Sequence, residues 1–256
     1  MEIATILGII VGFGGILGGN HLEGGTIGSL IQGPAAVIIM GGTFGAMLVT
    51  YPMHIFNQGM KNAIYCFKPP KIDVSVIIDD IVAMARVARK DGLLALERNL
   101  EEVQDPFMKK YLQQIIDGIE ADLLKDQMET QIFLETEHTK LTAKVWTDGG
   151  AYAPTIGIIG AVLGLILVMS NLSDPSKLGG GIAVAFVATV YGLVVANLFF
   201  IPMGTKIKIF AETRENAYIM IMEGLLALQA GHNPKVIEDK LRIYAGGDSK
   251  KKDDES

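Results

Sequence analysis

Four long stretches of the sequence carry no Asp, Glu, Lys or Arg: residues 3–22, 24–60, 149–173 and 178–205. The polar side chains in the last two include Thr155, Thr189, Tyr191 and Asn197. Pro154 and Pro202 add a second kind of polar group. A proline has no N–H and clashes with the carbonyl four residues earlier, so that carbonyl is freed. Hydroxyls, a carboxamide and freed carbonyls can line an ion path inside an apolar medium. They cannot carry a titrating proton by themselves. A self-sufficient relay needs a carboxylate, histidine or lysine in mid-span, and His21 and His54 sit at the ends of the apolar stretches. If the chain conducts ions, a partner must supply the titrating group. Each residue also has a plainer reading. Pro154 fits the first turn of a helix, Pro202 fits a helix terminator, and Thr189 fits a hydroxyl bonded to its own helix four residues back.

The elements that position these residues follow from the charge pattern. Each uncharged stretch approaches or exceeds the roughly 20 residues a spanning helix needs. The chain of 256 residues holds 22 Lys and Arg. Twelve lie between 61 and 144, nine lie between 206 and 252, and Lys177 alone falls outside. This predicts an all-α membrane protein with four transmembrane helices and both large polar regions on one side. Lys and Arg beside membrane spans are retained in the cytoplasm, which puts the 61–144 block, both termini and the C-terminal tail there. The segments around 20–29 and 171–180 are short outside loops. The expected location is the bacterial inner membrane. Glu2 is the only early charge and no A-x-A site follows Leu17, so the first helix reads as uncleaved.

The spacing divides the chain into 1–52 (helices 1 and 2), 53–148 (a helical cytoplasmic domain), 149–204 (helices 3 and 4), 205–245 (C-terminal helices) and 246–256 (a disordered tail). Within 53–148, apolar residues from Val76 to Ala88 recur at helical spacing, and Asp91-Gly92 breaks the run. A second helix opens at Leu93 and ends near Asp105-Pro106, a third opens at Tyr111, and a long charged one runs from Lys125 to Trp146. Asp148-Gly149-Gly150 then leads into helix 3. Helices 3 and 4 run antiparallel, so Pro154 and Pro202 are expected at one depth. Gly8 and Gly12, and Gly14 and Gly18, have the spacing that lets helices approach closely in lipid.

Several classes drop out. A net charge of −6 disfavours a nucleic-acid partner. Cys66 is the only cysteine, so no intramolecular disulfide, cysteine-built zinc cluster or redox pair forms. No Ser/His/Asp set, metal-ligand cluster or phosphate-binding loop is present, and neither enzyme activity, a metal nor a cofactor is expected.

Ala153-Pro154-Thr155-x-Gly157-x-x-Gly160-Ala161-x-x-Gly164 and Ala188-Thr189-Val190-Tyr191-Gly192-x-x-x-Ala196-Asn197 resemble the MotA/PomA stator proteins of the bacterial flagellar motor. More distantly they resemble ExbB and TolQ. Ala88-Arg89-Lys90-Asp91-Gly92-Leu93-Leu94-Ala95-Leu96-Glu97 and Gly231-His232-Asn233-Pro234-Lys235-Val236-Ile237-Glu238 resemble further MotA stretches. The resemblance covers about 1–245.

That resemblance implies a homo-oligomeric ring, a pentamer, around a MotB-like single-span partner that supplies the ion-binding aspartate. It implies that Thr189 lies beside that aspartate, that Pro154 and Pro202 couple ion flow to conformation, and that Arg89, Lys90 and Glu97 face the rotor protein FliG. Sodium-driven PomA has a threonine at the position matching Ala161 and two adjacent threonines at those matching Ala188 and Thr189. Two of those three hydroxyls are absent here, which favours a proton over sodium. The alternative is an ExbB/TolQ-type energiser of an envelope protein.

Overall fold

The computed structural model of the chain describes residues 2–70, 72–173 and 175–245. The expected tail at 246–256 lies outside the described residues. In order, the elements are α1 (Ile3–Leu22), α2 (Ile27–Leu30), α3 (Gly33–Thr50), α4 (Met53–Asn62), a 3-10 turn (Ala63–Cys66), α5 (Val74–Asp91), a 3-10 helix (Leu93–Arg98), α6 (Pro106–Ile116), α7 (Ala121–Ser170), α8 (Pro175–Val195), a π-helical turn (Ala196–Phe200), α9 (Ile201–Gln229) and α10 (Pro234–Arg242). No strand occurs among the described residues. Four helical stretches are long and apolar enough to cross a bilayer: Ile3–Leu22, Gly33–Thr50, Ala121–Ser170 and Leu178–Gln229. The all-α, four-span expectation holds.

The chain forms two compact units. One takes Met1–Pro70 and Thr139–Phe210, and the other Lys71–His138 and Ala211–Ser256. The first contains the apolar spans. Its core is Met47, Tyr51 and Ile55 with Ala143, Val145, Trp146, Ala153, Ala196 and Phe200. The Trp146 indole donates to the Gly59 carbonyl at 2.8 Å, and the Asn62 amide donates to Thr142 Oγ1 at 2.7 Å. These bonds satisfy buried polar groups that would otherwise destabilise the foot of the bundle. α1, of 20 residues, buries none of them. A helix of that composition is stable only where its apolar face meets lipid or other spans.

The second unit is a helical core of Ile77, Ile81 and Met84 from α5, Phe107, Tyr111, Leu112 and Ile115 from α6, Leu124 and Met128 from α7, Met220, Ile221 and Leu225 from α9, and Leu241 from α10. Its helix starts are side-chain capped. Asp73 accepts from the Ser75 and Val76 amides, Asp105 from Met108, and Asn233 from Lys235. Such a cap satisfies amides that have no partner inside the helix. The Phe107 and Tyr218 rings stack with centroids 4.2 Å apart. Burial pushes the Tyr218 phenol above its ordinary pKa, and the Arg214 guanidinium bonded to it pulls the other way.

Four local expectations change. The helix expected from Leu93 to Asp105 is only the short 3-10 helix Leu93–Arg98. α6 starts at Pro106 and not at Tyr111, because Asp105 caps it and Pro106 fits its first turn. No break occurs at Asp148-Gly149-Gly150, because α7 is one helix of 50 residues. Those glycines are used for close approach instead. A β-carbon on Gly149 would come within 2.8 Å of Met47 Sδ, and one on Gly150 within 3.2 Å of the Ile201 nitrogen. Finally, Pro202 does not end a helix, since α9 continues from Ile201 to Gln229.

Candidate functional site

Small residues bring α7 and α8 into backbone contact. A β-carbon on Gly157 would lie 3.2 Å from the Ala188 carbonyl oxygen and 3.4 Å from Thr189 Cα. One on Gly164 would lie 2.8 Å from both the Ala185 nitrogen and the Gly181 carbonyl oxygen. One on Gly204, in α9, would lie 2.8 Å from the Ala143 carbonyl oxygen. Spacings of three and four residues keep these positions on one face of each helix. The stripe aligns two antiparallel helices with almost no side-chain layer between them, the packing mode expected where lipid offers no hydrophobic drive.

Both prolines lie within this paired segment. Pro154 sits inside α7, not in its first turn. Its missing N–H leaves the Gly150 carbonyl without the usual donor. Pro202 does the same for the Leu198 carbonyl. The helix reaches Pro202 through the π-helical turn Ala196–Phe200, a wider turn of the kind that recurs at functional sites. The two prolines are not at one depth. Pro154 Cα faces Gly192, whereas Ile201, next to Pro202, faces Gly150. The four residues between Gly150 and Pro154 make about one helical turn, or ~6 Å. Antiparallel packing fixes direction but not register, and the glycine contacts set the register.

The hydroxyls are placed as follows. Thr189 is half-buried, and its Oγ1 donates to the Ala185 carbonyl at 3.3 Å. Thr155 is exposed and donates to the Tyr152 carbonyl at 2.7 Å. Asn197 donates to the Leu193 carbonyl at 2.9 Å. Each therefore bonds within its own helix and can exchange that bond for another. Ala161 is half-buried and offers no polar side-chain atom. Tyr191 is committed elsewhere. Its hydroxyl donates to the Leu30 carbonyl at 2.6 Å and accepts from the Gln32 amide at 3.2 Å, which holds the entry to α3.

One polar group escaped the sequence reading. Tyr51 donates to Asp148 Oδ2 at 2.6 Å, and the Tyr152 and Thr50 hydroxyls are 3.0 Å apart. Asp148, Tyr152 and Thr155 are spaced i, i+4 and i+7, so they share one face of α7. The spacing was available in the sequence. It was obscured because Asp148 beside two glycines reads as a helix break.

The charged triad lies in the other unit. Arg89 and Lys90 occupy the last turn of α5, and Glu97 lies in the 3-10 helix that follows. Gly92, at φ 86°, makes the corner between them, a conformation that favours glycine. All three side chains are exposed, and none has an ion pair among the described residues. Buried Leu96 anchors the 3-10 segment from below. The described residues contain no group of three or more His, Cys, Asp or Glu able to hold a metal ion.

The comparisons with known proteins agree with this architecture. A model of the MotA/TolQ/ExbB proton channel family matches residues 99–220, and one of the motility protein A N-terminal region matches residues 6–92. Motility protein A of Helicobacter pylori is 34% identical over 253 residues, covering 98% of each chain. The solved structure of C. jejuni MotAB superposes with a TM-score of 0.93 at 32% identity, covering 97% of each chain. The flagellar MotAB stator complex from Bacillus subtilis superposes with a TM-score of 0.88 at 30% identity, covering 96% of each chain. This multi-span membrane chain therefore belongs to the MotA/TolQ/ExbB proton channel family, in its motility protein A branch of flagellar stator subunits.

Proposed function

We propose that the chain assembles as a pentameric ring around the membrane helices of a MotB-like partner and converts ion flow between them into torque on FliG. The observation that carries this reading is the match to C. jejuni MotAB over 97% of both chains. The uncharged spans support it from the other side, because the titrating acid has to come from a second chain.

The mechanism follows from the chemistry of the α7–α8 pair. A carboxylate in a low-dielectric span is costly while charged, and protonation removes that cost. The partner's aspartate takes a proton beside Thr189, whose hydroxyl can leave the Ala185 carbonyl to bond it. The neutral partner helix then changes its seat in the ring. The proton leaves toward the cytoplasm past Thr155 and the carbonyls freed by Pro154 and Pro202. Both termini lie on that side, a placement that the distribution of Lys and Arg supports. Each step displaces the charged turn at Arg89, Lys90 and Glu97 against opposite charges on FliG.

A proton is favoured over sodium. Sodium must replace shed water with several oxygen ligands, whereas a proton needs one acceptor and a water chain. Ala161 and Ala188 supply no side-chain oxygen at two positions where one would assist sodium. Swimming speed measured at fixed pH over a range of external Na⁺ tests the ion. The expected result is no dependence on Na⁺, and a steep rise with Na⁺ overturns the assignment.

A further inference from the structure

Asp148 immediately precedes the uncharged stretch 149–173, and α7 runs through it without a break. The carboxylate is therefore carried on the same continuous helix as Pro154 and Thr155. No other Asp, Glu, His, Lys or Arg occurs between 145 and 173. Asp148 is half-buried, and its Oδ2 accepts from the Tyr51 hydroxyl at 2.6 Å. It has no ion pair among the described residues. Charged side chains seldom leave water unless a partner offsets their charge, and a phenol hydroxyl offers no such offset. A carboxylate has room for roughly four hydrogen bonds, so the Tyr51 bond leaves Oδ1 as a further acceptor.

The position of this carboxylate continues the line of oxygens already described. Asp148, Tyr152 and Thr155 share one face of α7. Seven residues separate Asp148 from Thr155, about 10 Å along the helix at ~1.5 Å per residue. The Gly150 carbonyl freed by Pro154 falls between them, as does the Tyr152 hydroxyl beside Thr50. Thr155 thus stands at the inner end of the line and Asp148 at its cytoplasmic end. A hydroxyl or carbonyl can only pass a proton along. A carboxylate takes one more readily than water does and gives it up again near neutral pH.

We propose that Asp148 is a second proton-binding group of the ion path, supplied by this chain at the cytoplasmic exit. The inference rests on the stator reading above and deepens it. The O–H bond of the partner's aspartic acid breaks, the proton passes through water along the Thr155–Tyr152 face, and an O–H bond forms at Asp148 Oδ1. That proton then leaves to cytoplasmic water, and the carboxylate is restored for the next transfer. The Tyr51 bond has a different task, since it fastens the end of α3 to α7.

Two substitutions separate proton transfer from fastening. Asp148→Asn keeps an oxygen for the Tyr51 hydroxyl but cannot take a proton. Tyr51→Phe removes the bond but keeps the carboxylate. Each is produced in cells with an unplugged single-span partner, the fall in internal pH after an external acid step is followed, and the thermal midpoint of the purified complex is measured. Asp148→Asn should reduce the flux several-fold with little change in midpoint, and Asp148→Glu should keep most of the flux. Tyr51→Phe should lower the midpoint and keep most of the flux. Undiminished flux in Asp148→Asn overturns the proposal. So does an equal loss in Tyr51→Phe, which would make Asp148 a fastener only, or a failure of Asp148→Glu to restore the flux in an assembled complex. Absence of flux from the unmodified pair would overturn the stator reading itself, and the inference with it.

Discussion

Gly192 of α8 packs against Pro154 of α7 with no side chain between them. A β-carbon on Gly192 would lie 2.6 Å from the Ala153 carbonyl oxygen and 3.3 Å from Pro154 Cα. The proline that frees a carbonyl on one helix is thus faced by the one residue type that lets the other helix reach it. This contact sets the register of the pair, and with it the position of Thr189 one turn away.

Gly192→Val forces two backbones apart. Overpacking of this kind costs about 1–3 kcal/mol. Gly41 has nothing within 4 Å of a β-carbon, so Gly41→Ala serves as the comparison. Thermal unfolding of the purified complex should show a clear drop in midpoint for Gly192→Val and little change for Gly41→Ala.

Pro154→Ala restores an N–H that can bond the Gly150 carbonyl. The helix gains a hydrogen bond and loses a point of bending. Protein amounts in the membrane should be normal or raised, while rotation of tethered cells falls sharply. Normal rotation with normal protein would show that Pro154 does not couple flow to movement.

Surface charges without partners add little to folding, so changing them should leave the fold intact and alter only what they meet. Glu97→Lys should impair swimming without altering the thermal midpoint. A compensating reversal on FliG should restore it. If no reversal on the rotor rescues the variant, the electrostatic part of the rotor contact is wrong. Arg89→Glu and Lys90→Glu should behave the same way with the opposite sign of compensation.

The spans were legible in the sequence because lipid imposes a requirement that only long uncharged stretches satisfy, and Ile3–Leu22 and Gly33–Thr50 meet it plainly. The break at Gly92 was equally plain, since its positive φ suits glycine and little else. The continuity of α7 was not. Gly149 and Gly150 serve either as a break or as a close contact, and the choice depends on Met47 and Ile201, far away in the chain. Pro202 was obscured for a similar reason. A proline can end a helix or sit inside one, as Pro154 does, and the π-helical turn at Ala196–Phe200 that leads into Pro202 has no local signature. Thr189 and Thr155 could be placed on their helices by spacing, and the plainer reading of Thr189, a bond four residues back, is the one it makes to Ala185; the bond of Thr155 to Tyr152 required the structure. The Tyr51–Asp148 bond joins residues 97 positions apart, and no local pattern announces it.

The central claim is that this chain conducts only together with a partner that supplies the acid. The direct measurement is the fall in internal pH when an external acid step is applied to cells producing this chain, an unplugged single-span partner, or both. The account predicts rapid acidification only with both chains. It predicts loss of that flux when the partner's aspartate is changed to asparagine, and a reduction of at least several-fold in Thr189→Ala at normal protein amounts. Acidification by this chain alone, or flux that survives the asparagine substitution, would contradict it.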